Sequence, residues 1–173
     1  MILGITGSFG SGKTTVANIF KKYGFEAINA DKLYHGIYNK NKPLRNKIKK
    51  EFGTSDRNKI KKIVFNDYKK LRELNKLTHP VIINSIKKEI FNIKKNEKII
   101  NGRNNNAKIV IDAPLLIEAN MQNMFNKIIV VKCDEKTQIK RLLKKRKYSK
   151  KEIIQIIKSQ MPIEEKLKYA DFV

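Results

Sequence analysis

Gly7-Ser8-Phe9-Gly10-Ser11-Gly12-Lys13-Thr14 is the stretch from which the fold of this chain can be read. The apolar run Ile2 to Thr6 precedes it and reads as a strand. Lys13 to Tyr23 follows as a helix, with Val16, Ala17, Ile19 and Phe20 on its buried side and Gly24 just past its end. A Gly-x4-Gly-Lys-Thr spacing between a strand and a helix is a phosphate-binding pattern. Its glycines lack a Cβ and tolerate positive φ, so the backbone can wrap phosphate oxygens closely. Successive N–H groups then point inward, and the helix N-terminus adds partial positive charge. Lys13 is expected to reach the β- and γ-phosphates of ATP, and the Thr14 hydroxyl to ligate Mg²⁺. The expected ATP contacts are Gly7, Gly10, Ser11, Gly12, Lys13, Thr14 and Thr15.

Outward from this loop, short β-branched runs alternate with helical patterns, which predicts an α/β fold with a parallel sheet. Phe25 to Ile28 reads as the second strand, Lys108 to Asp112 as the third and Lys127 to Lys132 as the fourth. Continuous apolar runs such as Ile109-Val110-Ile111 suit strands covered on both faces. Asp112 ends the third strand, where a P-loop protein places an acid that holds Mg²⁺, often through water. A helical insertion runs from about Asp31 to Asn96, with pieces at Pro43 to Phe52, Asp56 to Thr78 and Pro80 to Ile93. His79-Pro80 is expected to break it, because the residue before proline avoids the helical region. Asn96 to Lys108, with Gly102 and Asn104-Asn105-Asn106, reads as a polar loop. Lys136 to Arg146 and Ser149 to Gln160 read as two helices.

The length, 173 residues, suits one domain. No apolar run is long enough for a membrane helix, and Met1 to Ile5 reads as a strand rather than a signal peptide. Cys133 is the single cysteine, which excludes an intramolecular disulfide and fits a cytoplasmic protein. The 39 basic against 16 acidic residues give a formal charge of +23. Lysine, asparagine and isoleucine are enriched together, so the excess reads as compositional bias on solvated faces rather than as a nucleic-acid site.

A GTPase would carry Asn-Lys-x-Asp, and Asn126-Lys127-Ile128-Ile129 lacks the aspartate. A small kinase combines a helical acceptor-binding insertion with a basic lid. Gln138 to Tyr148, holding Arg141, Lys144, Lys145 and Arg146, is the lid candidate. Its cations, Arg141 first, would close over the triphosphate and offset charge during transfer.

Further motifs narrow the choice. They are Ala30-Asp31, Asp56-Arg57, Val64-Phe65, His79-Pro80-Val81-Ile82 and Asp112-Ala113-Pro114-Leu115-Leu116-Ile117-Glu118. Gln138-x2-Arg141-Leu142 and Gln160-Met161-Pro162-x3-Lys166-x3-Ala170-Asp171 complete the series. Together with the P-loop, they make nearly the whole chain resemble the dephospho-coenzyme A kinase family. The resemblance implies a parallel P-loop sheet, a helical coenzyme A domain and a lid. It implies transfer of phosphate from ATP to the 3′-hydroxyl of dephospho-coenzyme A, the last step of coenzyme A synthesis. On that basis residues 1–173 are one domain: a core of about 1–30, 108–135 and 161–173, an insertion of about 31–96 and a lid of about 138–160. The expected catalytic residues are Asp31, as base or orienting group, Lys13 and Arg141. His79, Pro114, Leu115 and Leu116 are expected to face or wall the acceptor with Asp31. A monomer is expected, with no membrane or nucleic-acid partner. A nucleoside or nucleotide kinase, or an RNA-binding module that has lost transfer, are the alternatives.

Some positions depart from the family. Ser8 stands where glycine is frequent and Asn29 where an acid is frequent. Lys145 replaces a common second lid arginine, and Ile156 an arginine of the last lid helix. The chain stops at Ala170-Asp171-Phe172-Val173, which reads as the opening of another strand, and the family continues beyond it with a strand and a helix that help frame adenine.

Overall fold

The computed structural model describes residues 1–65, 67–101 and 107–173. Its elements run β1 (Ile2–Thr6), α1 (Lys13–Lys22), β2 (Glu26–Asn29), α2 (Ala30–Lys40), α3 (Lys42–Phe52), α4 (Arg57–Val64), α5 (Tyr68–Asn101), β3 (Ile109–Asp112), β4 (Lys127–Val130), α6 (Glu135–Lys144), α7 (Lys150–Lys158) and α8 (Ile163–Leu167). The strands form a parallel sheet in the order β2-β3-β1-β4. Phe172 adds a parallel bridge to Ile129, as the expected strand opening would.

Both sheet faces are covered, which is why the strands are continuously apolar. On one face Leu3, Ile5 and Val110 pack with Ala17 of α1 and Phe25. On the other, Ile28, Ile109, Ile111, Ile128 and Val130 meet Ile86 and Ile90 of α5. The insertion has its own small core of Tyr38, Leu44, Ile48, Ile60 and Val64, against which Leu71, Leu74, Leu77 and Val81 of α5 pack.

This division explains why two expectations about α5 fail. His79-Pro80 does not break the helix, since Pro80 lies inside it. Proline costs about 3 kcal/mol in a helix interior. Leu71, Leu74, Leu77 and Val81 pack against the insertion core and the apolar side chains from Ile82 onward against the sheet, so a break would pull one set or the other away. The loop expected from Asn96 does not begin there, because helix α5 continues to Asn101; residues 102–106, where the rest of that expectation falls, lie outside those described. Asp56 to Thr78 is two helices rather than one. Asp67 accepts from the N–H groups of Lys69 (2.8 Å) and Lys70 (3.1 Å), so its carboxylate caps a fresh helix start. Cys133 lies beyond β4 and is partly exposed. Among the described residues no helix is long and apolar enough to cross a membrane.

Candidate active site

The strands all end at one edge of the sheet, and the register brings their ends together. Asp112 is flanked by Ile5 of β1 and Asn29 of β2. Open parallel sheets bind ligands at this carboxyl edge. The loop 7–12 lies there, with Gly7 at φ 144°, Gly10 at 83° and Gly12 at 109°. A Cβ on Gly7 would fall 2.1 Å from the Val131 carbonyl oxygen, so backbone, not a movable side chain, excludes any other residue. Ser8 is buried without positive φ, so this departure from glycine fits the loop.

Lys13, the first residue of α1, is 7% exposed, and its Nζ donates to the Ser8 carbonyl at 2.9 Å. Burial lowers its pKa to about 8, even with Asp112 and Asp31 pulling upward. At pH 8 about half of the free protein therefore carries a neutral Lys13. A bound triphosphate restores the charge, so binding should take up roughly half a proton at pH 8. Calorimetry in two buffers of different ionisation enthalpy measures this; uptake that persists in Lys13→Met would place the titration elsewhere.

Thr14 Oγ1 donates to Asp112 Oδ2 at 2.7 Å, and Asn29 Nδ2 donates to the same oxygen at 2.9 Å. Asp112 is 3% exposed, and its Oδ1 is buried without a partner. An orphaned carboxylate oxygen beside a hydroxyl is a hard-oxygen donor set that fits Mg²⁺, which takes few protein ligands and fills its shell with phosphate and water. Among the described residues no cluster of three His, Cys, Asp or Glu side chains competes for that role. Asn29 also caps α2, accepting from Lys32 N–H at 2.8 Å. Its amide gives Asp112 a donor where an acid would add a third carboxylate beside Asp31.

Asp31 opens onto the cleft from the start of α2. Crowding by the surrounding protein and the Asp112 charge push its pKa up, while Lys13, His35 and Arg57 hold it down.

Two cavities meet at Asp31 and Pro114, which line both. The larger, about 840 Å³, is bounded by the loop, Thr14, Thr15, Asp112, Arg141, Lys144 and Lys145, and has room for a nucleoside triphosphate. The smaller, about 210 Å³, is apolar. Tyr34, Thr78, His79, Ile82 and Leu115 are among its walls. His79 Nε2 is buried without a partner, and burial lowers the ring's pKa. Leu116 departs from expectation: it is 0% exposed, lines neither cavity and packs into the core behind the wall.

Helix α6 overhangs the loop. Arg141 donates to the Ser11 carbonyl at 3.3 Å. Beyond α6, Tyr148 stands edge-on to Phe9 at 5.4 Å and under the Lys61 ammonium at 3.8 Å, joining loop tip, α4 and the α6–α7 turn. Ile156 is buried and is not among the residues lining the phosphate cleft. Sequence reasoning assigned no role to Gln160, whose Oε1 accepts from Phe9 N–H at 2.8 Å, or to Lys166, whose Nζ donates to the Pro114 carbonyl at 2.7 Å. Their motif was visible, but its partners lie more than 50 residues away, or more than 150 for Gln160.

A family model for dephospho-CoA kinase (CoaE) matches residues 1–173. A dephospho-CoA kinase of Carboxydothermus hydrogenoformans is 38% identical over 99% of this chain and 84% of its own length. The crystal structure of TT1252 from Thermus thermophilus superposes with a TM-score of 0.76 at 26% identity, covering all of this chain and 86% of that one. A dephospho-CoA kinase structure from Campylobacter jejuni gives 0.64 at 30% identity, over 99% of this chain and 85% of that one. The chain belongs to the dephospho-CoA kinase family, ATP-dependent phosphotransferases of the final step of coenzyme A biosynthesis.

Proposed function

We propose that this chain moves the γ-phosphoryl group of ATP onto the 3′-hydroxyl of dephospho-coenzyme A, yielding coenzyme A and ADP. The observation that carries this reading is the position of Asp31, the carboxylate lining both the phosphate cleft and the acceptor cavity. The triphosphate lies in the loop, with Gly7, Gly10, Ser11 and Gly12 giving backbone N–H groups and Lys13 exchanging the Ser8 carbonyl for phosphate oxygens. Thr14 and Asp112 would hold Mg²⁺, which supplies charge neutralisation on the phosphate oxygens. Asp31 accepts a hydrogen bond from the 3′-hydroxyl and aims its oxygen at phosphorus. The new O–P bond forms as the bond to the ADP oxygen breaks, and the hydroxyl proton passes to Asp31. Lys13 and Arg141 offset the spreading charge. The transition state is loose, so aiming outweighs proton removal.

In this reading residues 31–96 hold the acceptor, 138–160 act as a lid and the remaining segments form the core. His79, Pro114 and Leu115 shape the acceptor wall. One chain supplies both cavities, in keeping with a monomer, and the lone Cys133 suits the cytoplasm.

A coupled ADP-release assay tests the function, with dephospho-coenzyme A set against nucleoside monophosphates and no acceptor. Turnover only with a monophosphate would assign the chain to nucleotide phosphorylation instead. Asp31→Asn keeps the size of the side chain but loses the proton acceptor. It should slow transfer at least about tenfold while leaving the ATP dissociation constant nearly unchanged. Full turnover in this variant would remove Asp31 from the mechanism.

A further inference from the structure

Helix α2 carries Asp31, Tyr34, His35 and Tyr38 at positions i, i+3, i+4 and i+7, a single stripe along one face. Arg57, the first residue of α4, lies across this stripe. Its guanidinium carbon is 5.8 Å from the Tyr34 ring centre and 5.7 Å from that of Tyr38. Its two terminal nitrogens, Nη1 and Nη2, contact the His35 ring, Nη2 at 2.8 Å from Nε2. The two tyrosines pack edge-to-face at 5.7 Å, and the Tyr38 hydroxyl donates to the Ser55 carbonyl at 2.6 Å. The guanidinium is therefore held in place by aromatic rings, and among the described residues no carboxylate forms an ion pair with it. A pre-positioned guanidinium without an acidic partner suits a phosphate group, which would take its fork over from the His35 ring.

Its distance from Asp31 narrows the ligand. Residues four apart on a helix are separated by about 6 Å, so the His35–Arg57 cluster stands one turn along α2 from the carboxylate. A ribose 3′-hydroxyl and the 5′-phosphate of the same nucleotide are separated by one sugar ring, a span of the same order. Tyr34 lines the acceptor cavity together with Asp31, so the cluster adjoins that cavity through Tyr34, while His35, Tyr38 and Arg57 stand beyond its wall. We infer that Arg57, braced by Tyr34, His35 and Tyr38, binds the 5′-diphosphate of the acceptor nucleotide while Asp31 engages its 3′-hydroxyl. This rests on the phosphotransfer reading above and adds an anchor that would select acceptors carrying a 5′-phosphate.

Steady-state kinetics on the full chain test it. Arg57→Gln should raise the KM for dephospho-coenzyme A roughly tenfold, the scale of one lost charge-assisted contact, with the KM for ATP and the melting temperature little changed. Arg57→Lys should fall between Gln and wild type, because it keeps the charge and loses the fork. The inference is overturned if Arg57→Gln leaves the acceptor KM unaltered. It is also overturned if the KM values for ATP and acceptor rise together with a lower melting temperature, since Arg57 would then only brace the helices. Should Arg57→Gln fail to fold, Arg57→Lys decides alone: a rise confined to the acceptor KM supports the anchor, and no rise refutes it. A wild-type chain that leaves dephospho-coenzyme A unphosphorylated would instead refute the function.

Discussion

Lys13→Ala should lower phosphoryl transfer by on the order of 10²- to 10³-fold, the cost of removing one preorganised electrostatic donor. The size of the effect follows from where the ammonium sits. It is nearly excluded from water, and it donates a hydrogen bond to the carbonyl of Ser8 in its own loop. Burial has already stripped most of its hydration, which is why its pKa falls to about 8. Its attraction for incoming phosphate oxygens is therefore weakly screened. Water entering the space left by alanine cannot replace a fixed charge without reorganising during the reaction. The substitution has a second consequence, because Lys13 restrains the upward pKa shift of Asp31. Without it Asp31 holds a proton to higher pH, and the acidic limb of the activity profile moves upward. Single-turnover ADP formation across pH, with circular dichroism to confirm the fold, measures both effects. Activity within tenfold of wild type would mean that the loop's N–H groups suffice, and the role given to Lys13 would be withdrawn.

The fold was legible where local pattern and tertiary environment agree. A short β-branched run covered on both faces has few readings other than a buried strand, so β1, β3 and β4 are found within a residue or two of their ends. The loop was legible because the three glycine positions carry φ values that other residues adopt at a cost. Pro80 misled because a local preference of a few kcal/mol was set against the burial of two apolar clusters that sequence spacing does not reveal as separate. Leu116 misled differently. Its neighbours Pro114 and Leu115 do border cavities, and an apolar triplet gives no sign of which member turns inward. Asn29, noted only as a departure, and Arg57, part of the Asp56-Arg57 motif, were given no site role for a third reason. Asn29 matters through strand register with Asp112, and Arg57 through the crossing of α4 over α2. Both are long-range pairings without a local signature. The same holds for Gln160 and Lys166, which tie the segment after α7 to the loop and to the acceptor wall.

Lys166→Met should cost about 3–5 kcal/mol of stability, the range for removing one partner of a buried ion pair. Lys166 is 0% exposed, and its Nζ is 2.8 Å from Glu118 Oε1 as well as 2.7 Å from the Pro114 carbonyl. Glu118 Oε1 also accepts from Met161 N–H at 3.1 Å, while its Oε2 is buried without a partner. Methionine fills much of the volume, so little of the cost comes from a cavity; it comes from a carboxylate left in the interior with one N–H for company. The melting temperature should fall by roughly 10 °C. Glu118→Leu combined with Lys166→Met should recover most of that loss, because no charge then remains to be solvated. Activity separates the two effects. The Pro114 carbonyl would keep only the Thr6 hydroxyl at 3.0 Å, and Pro114 borders both cavities. The double variant should therefore regain stability while keeping a raised KM for the acceptor. If the single variant melted within 2 °C of wild type, the buried pair would contribute little to holding the wall. If the double variant regained full kinetics, the pair would serve folding alone, and the wall would be positioned by Thr6 and the packing of Leu116.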